Sequence, residues 1–324
     1  MTTAPAVVLI SRAPSTPYLE LFAEGPGKTW VNDTVDRVRV LTYSGRALNR
    51  FQRVRADLRE MIRFPGARPE EIGTVLAQSR ALKAYGRIVD AATPGNDAGL
   101  VARVSSRVSI KGLALAGALT TAYERRVRSP MLNRRKFKVQ LDGTHLTVAL
   151  PSSVTNALAI QQAAMRFAAQ SEISGVLMTT SSSYVDLLRY RAWVDSLPAG
   201  EYIAGSNALA NPTDGSTPWV LFSGFCNYFS QVSIERVTAA KDIDHSALND
   251  VARTQWLLKH GIAWANIGIV WNTEILEQGQ CPLCLDPGMF VVRCTSHGSR
   301  EREQGFMQAL HHRHLGDPVV DESH

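Results

Sequence analysis

Three clusters in the chain hold residue types that could do chemistry. The first is Leu177-Met-Thr-Thr-Ser-Ser-Ser-Tyr-Val-Asp186, a β-type run that ends in small hydroxyls and restarts as a helix. Thr180, Ser181, Ser182, Ser183 and Tyr184 would offer hydroxyls and backbone amides at the carboxyl end of a strand, where open α/β sheets hold ligands. The second is Asp250, early in a helix-favouring run that stops at Gly261. A carboxylate in a first helical turn is held ionised by the helix terminus, worth about 0.3–1 kcal/mol when exposed, and can serve as a general base. The same residue also serves helix stability alone. The third is Cys281, Cys284, Cys294 and His297, spaced Cys-x2-Cys-x9-Cys-x2-His. That spacing suits a closed tetrahedral zinc site with a structural role. Incidental thiols are the alternative.

The elements that must position these groups read as α/β. Val7–Ile10 is a short buried strand, and Arg37–Tyr43 alternates as a second, closed by Ser44-Gly45. Leu146–Leu150 is another strand, broken by Pro151, and a helix follows with Ser153 as its expected N-cap. Gly175–Thr179 is the next strand, and Leu187, Tyr190 and Val194 mark one face of the helix after it. Strand and helix alternating in this order predict a mostly parallel sheet with right-handed crossovers. Trp219–Phe225 reads as an aromatic-rich strand whose Ser223-Gly224 would let a ligand approach the backbone, or as a core strand with a bulge. His245, just before the Asp250 helix, is placed to contact a phosphate or an acceptor hydroxyl.

The chain has 324 residues and a net charge of +6, with 45% hydrophobic and 20% charged residues, ordinary values for a globular protein. No apolar run reaches the length of a membrane span, and no leader pattern opens the chain, so a cytoplasmic protein is expected. Charge gathers in one place: Arg125, Arg126, Arg128, Arg134, Arg135, Lys136 and Lys138 fall within fourteen positions. Such a stretch is either a solvated surface or an attractor of phosphates, nucleotides or anionic lipid. No nucleic-acid fold signature accompanies it, which argues against a nucleic-acid partner. The organisation expected is N-terminal strands over 1–45, a helical basic insertion over 46–140, the main α/β region with its Cys/His segment over 141–316, and a disordered tail over 317–324.

Taken in order, these motifs resemble the fringe and β-1,3-galactosyltransferase type of glycosyltransferase, which has the GT-A fold. Lys28-Thr29-Trp30 resembles the family's Lys/Arg-x-Thr-Trp signature without its spacer, and Tyr43-Ser44-Gly45 its strand end. Leu150-Pro151 resembles the segment before the metal-binding strand. Thr179–Tyr184 stands where the family carries its donor-binding Asp-x-Asp. Tyr202–Gly205, Phe222-Ser-Gly224 and Asn249-Asp250-Val251 resemble its tyrosine-to-glycine strand, its acceptor-side turn and its acidic pair. Val292-Arg293-Cys294, with Met307 and Leu310-His311, resembles a tail seen in bacterial relatives.

The resemblance implies a GT-A-like, Rossmann-like sheet flanked by helices, and an inverting hexosyltransferase of EC class 2.4. A nucleotide-sugar would be the donor, and a glycan or lipid-linked hydroxyl the acceptor. Asp250 would be the catalytic base, Thr180–Tyr184 would contact the donor, and Ser223, Gly224 and His245 would line the acceptor side. Two departures stand out. Ser181-Ser182-Ser183 replaces the Asp-x-Asp and lacks the charged oxygens a hard divalent cation wants, so the diphosphate would fall to Arg or Lys. Asn249 replaces the first acidic residue. The alternative is a non-catalytic GT-A-like binding or scaffold protein with a zinc knuckle. Peripheral contact with an anionic membrane at the inner face is a further expectation from the basic stretch.

Overall fold

The computed structural model describes residues 4–14, 16–49, 115, 119, 122–153, 156–210, 219–245, 247–267, 270–271, 288–294 and 300–315. Contacts divide the chain into two compact units, Met1–Ala47 with Leu132–His324, and Leu48–Met131. Most of the second unit, and the expected tail over 317–324, lie outside the described residues.

In the first unit, strand β1 is Ala6–Ser11, helix α1 Thr16–Glu24 and strand β2 Val38–Arg46. Helix α2, Ser129–Arg134, spans the boundary at Met131/Leu132, and strands β3 and β4 are Val139–Asp142 and His145–Pro151. Then come α3 (Ala157–Ala168), β5 (Gly175–Thr180), β6 (Ser183–Val185) and α4 (Leu187–Ser196). Strands β7 (Ile203–Ala210) and β8 (Trp219–Ser230) precede helices α5 (Gln231–Ala239) and α6 (Asn249–Lys259). Short strands β9 (Ala265–Asn266), β10 (Val270–Trp271) and β11 (Val291–Arg293) lead to α7 (Arg300–Leu315).

Among the described residues an eight-stranded sheet runs β3-β4-β2-β1-β5-β8-β7-β9, and a three-stranded sheet runs β10-β11-β6. The large sheet is mixed and mostly parallel, and helices flank it: an α/β architecture. Strand β1 lies between β2 and β5, parallel to both, Leu9 facing Leu41 on one side and Met178 on the other. A parallel strand buried on both faces must be apolar throughout, and Ala6–Ile10 are all buried. Val7 and Leu9 enter a core shared with Leu158, Ala164, Ile234, Trp256 and Leu257. Ala6, Val8 and Ile10 enter the opposite core with Leu187, Tyr190, Phe290, Met307 and Leu310.

The sheet departs from the expected alternation at β8, which runs antiparallel between β5 and β7. Only residues 211–218 separate β7 from β8. A parallel crossover needs roughly a dozen residues or more, so a connection this short returns the chain as an antiparallel neighbour. Strand β8 also runs past Phe225 to Ser230, whose hydroxyl caps α5 by accepting from the Ser233 N–H at 3.4 Å. Strand β2 continues through Ser44 and Gly45 because β4 pairs with it there. The helix after β4 starts at Ala157; Asn156 precedes it, with its amide turned to Pro151 O at 2.7 Å, in place of a Ser153 cap.

Candidate functional site

From β1 the chain moves through β2 to β4 on one side, whereas β5 and β8 build out on the other. This is a topological switch point, and a crevice beyond the carboxyl ends of such neighbouring strands is where open α/β sheets take ligands. Ser11 and Arg12 close β1, and Thr180 to Ser182 close β5. The two ends are tied together: Ser181 Oγ donates to Ser11 O at 3.0 Å.

The serine turn is fastened from three directions. Trp30 Nε1 donates to Ser183 O at 3.0 Å, and the Cys294 amide donates to Ser182 O at 2.8 Å. Tyr184, paired with Val292 across β6 and β11, meets His311 Nδ1 through its hydroxyl at 3.1 Å. Thr180 Oγ1 lies 3.3 Å from Ser183 Oγ and accepts a hydrogen bond from the Arg293 guanidinium. Ser181, Ser182, Ser183 and Tyr184 are all buried. Asp186 begins α4, accepting from the Arg189 N–H at 3.0 Å and pairing with its guanidinium at 3.2 Å. That carboxylate is therefore committed to the helix.

An arginine on the hydroxyl turn decides what kind of group these residues suit. The strand end offers neutral hydroxyls with a fixed cation against them, and hard divalent metals want anionic oxygen. The serine turn itself lacks the charged oxygens that a divalent cation wants.

Asp250 falls in the first turn of α6, and Gly261, at φ +62°, ends that helix region in the left-handed conformation glycine favours. Thr254 Oγ1 donates to Asp250 O at 2.7 Å and accepts from the Phe222 N–H at 2.9 Å. The Asp250 helix is thereby hung from β8 immediately before Ser223, which is buried. Because Asn227 pairs with Met178, Ser223 and Gly224 lie toward the carboxyl end of β5, the edge that carries the serine turn.

Arg253, one per cent exposed, joins these parts. Its guanidinium lies 5.5 Å from the Phe229 ring centroid and 6.0 Å from that of Phe222, and donates to Gln161 Oε1. Burial lowers its pKa to about 10, against the opposing pull of Tyr43 and Asp250. The Tyr43 hydroxyl bonds to Ser11 and Gln161 in turn, while its burial raises its own pKa. A polar chain therefore runs Ser11–Tyr43–Gln161–Arg253 under the sheet edge. Arg253 Nε and Nη1, and both polar atoms of the buried Asn227, have no partner among the described residues. Buried polar atoms are nearly always paired with protein or water, so this is where the interior can still receive hydrogen bonds.

On the opposite face, His145 of β4 places Nδ1 2.7 Å from Thr42 Oγ1 and Nε2 2.9 Å from Ser44 Oγ. Burial, then the nearby Arg12, lowers its pKa, with Asp142 opposing. Arg12 itself lies over the Phe22 ring at 5.5 Å.

The structure thus brings together Ser181 with Ser11, and ties the first turn of the Asp250 helix to Phe222, the residue before Ser223. His245 is buried against α2, its Nε2 3.0 Å from Asn133 Oδ1, and Asn133 also donates to Ile243 O at 2.8 Å. His311, which reads in sequence as part of a solvated helix end, is mostly buried on Tyr184. Cys281, Cys284 and His297 lie outside the described residues. Cys294 is buried, and burial pushes its thiol up to about 12. No cluster of three or more His, Cys, Asp or Glu side chains suited to a metal occurs among the described residues. Sequence reasoning gave no site role to Ser11, Gln161 or Arg253, and quoted Tyr43 and Arg293 only as motif residues. The available signal was Arg253 itself, a cation on the face of α6 that also carries the buried Ala252, Trp256 and Leu257.

No protein-family model matches the chain, and no curated protein matches it in sequence.

Proposed function

We propose that this protein is a GT-A-like glycosyltransferase that moves a hexose-type sugar from a nucleoside-diphosphate donor to a hydroxyl acceptor with inversion. One observation carries the reading. The helix bearing Asp250 is fastened beside Ser223 at the same sheet edge as the hydroxyl turn that Arg293 contacts.

Asp250 takes the proton of the acceptor hydroxyl while that oxygen attacks the anomeric carbon from the face opposite the leaving group. The bond to the diphosphate oxygen breaks, and its electron pair leaves with the nucleoside diphosphate. The charge that develops there is met by Arg293 and Arg12, a fixed electrostatic arrangement that needs no reorganisation during the reaction. Ser223 and Gly224 line the acceptor side, and Thr180 to Ser183 keep the cation in place beside the diphosphate.

A second reading, a non-catalytic binding protein on the same scaffold, is favoured by the serine turn. Ser181 spends its hydroxyl on Ser11 O, and the turn offers no carboxylate.

A thermal-shift panel of UDP-, GDP-, TDP- and CMP-sugars, each with Mn²⁺ and with EDTA, tests both. Preferential binding to the folded chain raises Tm, and stabilisation by one nucleotide, equal with either additive, is the expected result. Silence across the panel overturns donor binding. Stabilisation with no donor hydrolysis and no transfer leaves the binding protein.

A further inference from the structure

The strands on the other side of β1 carry a second group of reactive side chains. Leu41 and Tyr43 enter the core that holds Leu146 and Val148. Successive side chains of a strand alternate, so Thr42 and Ser44 turn to the opposite face of β2. His145 of β4 spans them there, with Nδ1 2.7 Å from Thr42 Oγ1 and Nε2 2.9 Å from Ser44 Oγ. Thr42 and Ser44 are buried, and His145 is half-buried. The core on this face contains no residue of β3 or β4 among the described residues. Apolar packing therefore stops at β2, and the imidazole stands at its margin.

Arg12 continues β1 beside Ser44. Its N–H donates to Tyr43 O at 2.9 Å, and its side chain, on the face of Ile10, lies over the Phe22 ring. Arg12 Nε is buried and has no partner among the described residues. A nucleophile, a base within hydrogen-bond reach and a third group that orients the base form the arrangement used in covalent catalysis. Ser44, His145 and Thr42 hold those places, with a cation alongside.

The cation sets the direction of the two hydrogen bonds. A neutral imidazole donates from one nitrogen and accepts at the other. Arg12 attracts the Ser44 lone pairs, which turns the Ser44 O–H toward Nε2 and leaves Nδ1–H to donate to Thr42 Oγ1. Burial and then Arg12 lower the His145 pKa, against Asp142, and keep the ring in its neutral, proton-accepting form.

We propose that Ser44 and His145 form a nucleophile–base pair that hydrolyses carboxylic esters. Ser44 Oγ bonds to the ester carbonyl carbon as its proton passes to His145 Nε2. The carbonyl π pair moves onto oxygen, whose charge faces the Arg12 guanidinium. Collapse of that intermediate breaks the ester C–O bond, and the departing alkoxide takes the proton from Nε2. Water then attacks the acyl-serine carbon and gives a proton to the same nitrogen; the acid leaves, and Ser44 recovers its proton. A single guanidinium matches the one charge that develops on a carbonyl oxygen, whereas a transferring phosphoryl group spreads charge over three oxygens. Neither Asp250 nor the serine turn takes part, so the inference stands independently of the transferase reading.

The test treats the full chain with a fluorophosphonate probe, maps the labelled peptide by mass spectrometry, and follows turnover of p-nitrophenyl acetate. The probe should sit on Ser44, and Ser44→Ala should abolish both labelling and turnover. His145→Gln should slow labelling by about 100-fold or more, the usual worth of a positioned base. Thr42→Val should lower kcat about tenfold with KM unchanged, the scale of one lost hydrogen bond, and Thr42→Ser should restore it. A merely structural threonine would not give that split. Circular dichroism and Tm show which variants fold, and the map on the wild type decides where one does not. A folded wild type that carries no label on Ser44 overturns the proposal. So does labelling of His145→Gln at the wild-type rate, or turnover that survives Ser44→Ala.

Discussion

The Phe222 amide donates to Thr254 Oγ1 at 2.9 Å, and that hydroxyl donates onward to Asp250 O at 2.7 Å. One buried side chain therefore sets the height of the Asp250 turn against β8. Thr254→Val keeps the shape and removes both bonds, leaving a buried amide unpaired. The expected cost is about 1–3 kcal/mol, read from urea denaturation, with Thr254→Ser restoring most of it. In the proposed reaction kcat should fall while KM changes little.

Asp250→Asn should lower turnover by about 100-fold to 10,000-fold, the usual span for losing a positioned general base. Donor affinity measured by calorimetry should stay near that of the wild type. Undiminished turnover would remove Asp250 from the mechanism.

Arg293 contacts Thr180 where the resemblance would place a metal. Arg293→Met should weaken binding of a nucleoside diphosphate by roughly tenfold to a hundredfold, the worth of a charge-assisted hydrogen bond of about 1.5–3 kcal/mol. Binding of the uncharged nucleoside should be spared, and EDTA should leave the wild-type affinity where it was. A metal-dependent affinity in the wild type would contradict the anion reading.

His145 has its folded pKa below the ordinary 6.5, first through burial and then through Arg12. The unfolded chain then binds the extra proton before the folded one does, so this residue's stabilising contribution is complete above about pH 6.5. It is lost as pH falls from there through the folded pKa. Stability of the wild type should therefore decline in that window, and His145→Gln should flatten the profile. A curve identical in wild type and variant would show that another group dominates.

Gly205 packs directly against β8: a Cβ there would sit 2.3 Å from Phe222 Cε2 and 2.6 Å from Asn227 Oδ1. Gly205→Ala should destabilise by about 1–3 kcal/mol through overpacking, seen as a lowered denaturation midpoint. Because Phe222 carries the amide bonded to Thr254, the same substitution should also reduce turnover in the proposed reaction.

Local pattern made several elements legible. The apolar run Val7–Ile10 is a buried strand, Leu187, Tyr190 and Val194 form the buried face of α4, and Asp250 lies in the first turn of α6. Each of these depends on periodicity or a terminal residue alone. What stayed hidden depends on partners remote in sequence. The antiparallel course of β8 follows from a short connection together with a neighbour on each side. His311 reads as solvated until Tyr184 is placed beside it. Only the fold puts Arg253 on Gln161 and Arg293 on Thr180. Hydroxyls and a carboxylate of the candidate site were visible; of the cations, only Arg253 had a local mark, its place on the buried face of α6.

The serine turn takes one hydrogen bond from Trp30, 153 residues away along the chain, and another from the Cys294 amide, more than a hundred residues later. Contacts this distant in sequence bring their stabilisation only after large loops have closed, which makes them late events in folding. During synthesis the strands β1, β2, β4 and β5 can assemble while the turn between Thr180 and Ser183 still lacks both Arg293 and its last backbone partner. In the proposed reading, anion recognition at the sheet edge is therefore acquired near the end of maturation, and a partly made chain carries the scaffold without the Arg293 charge.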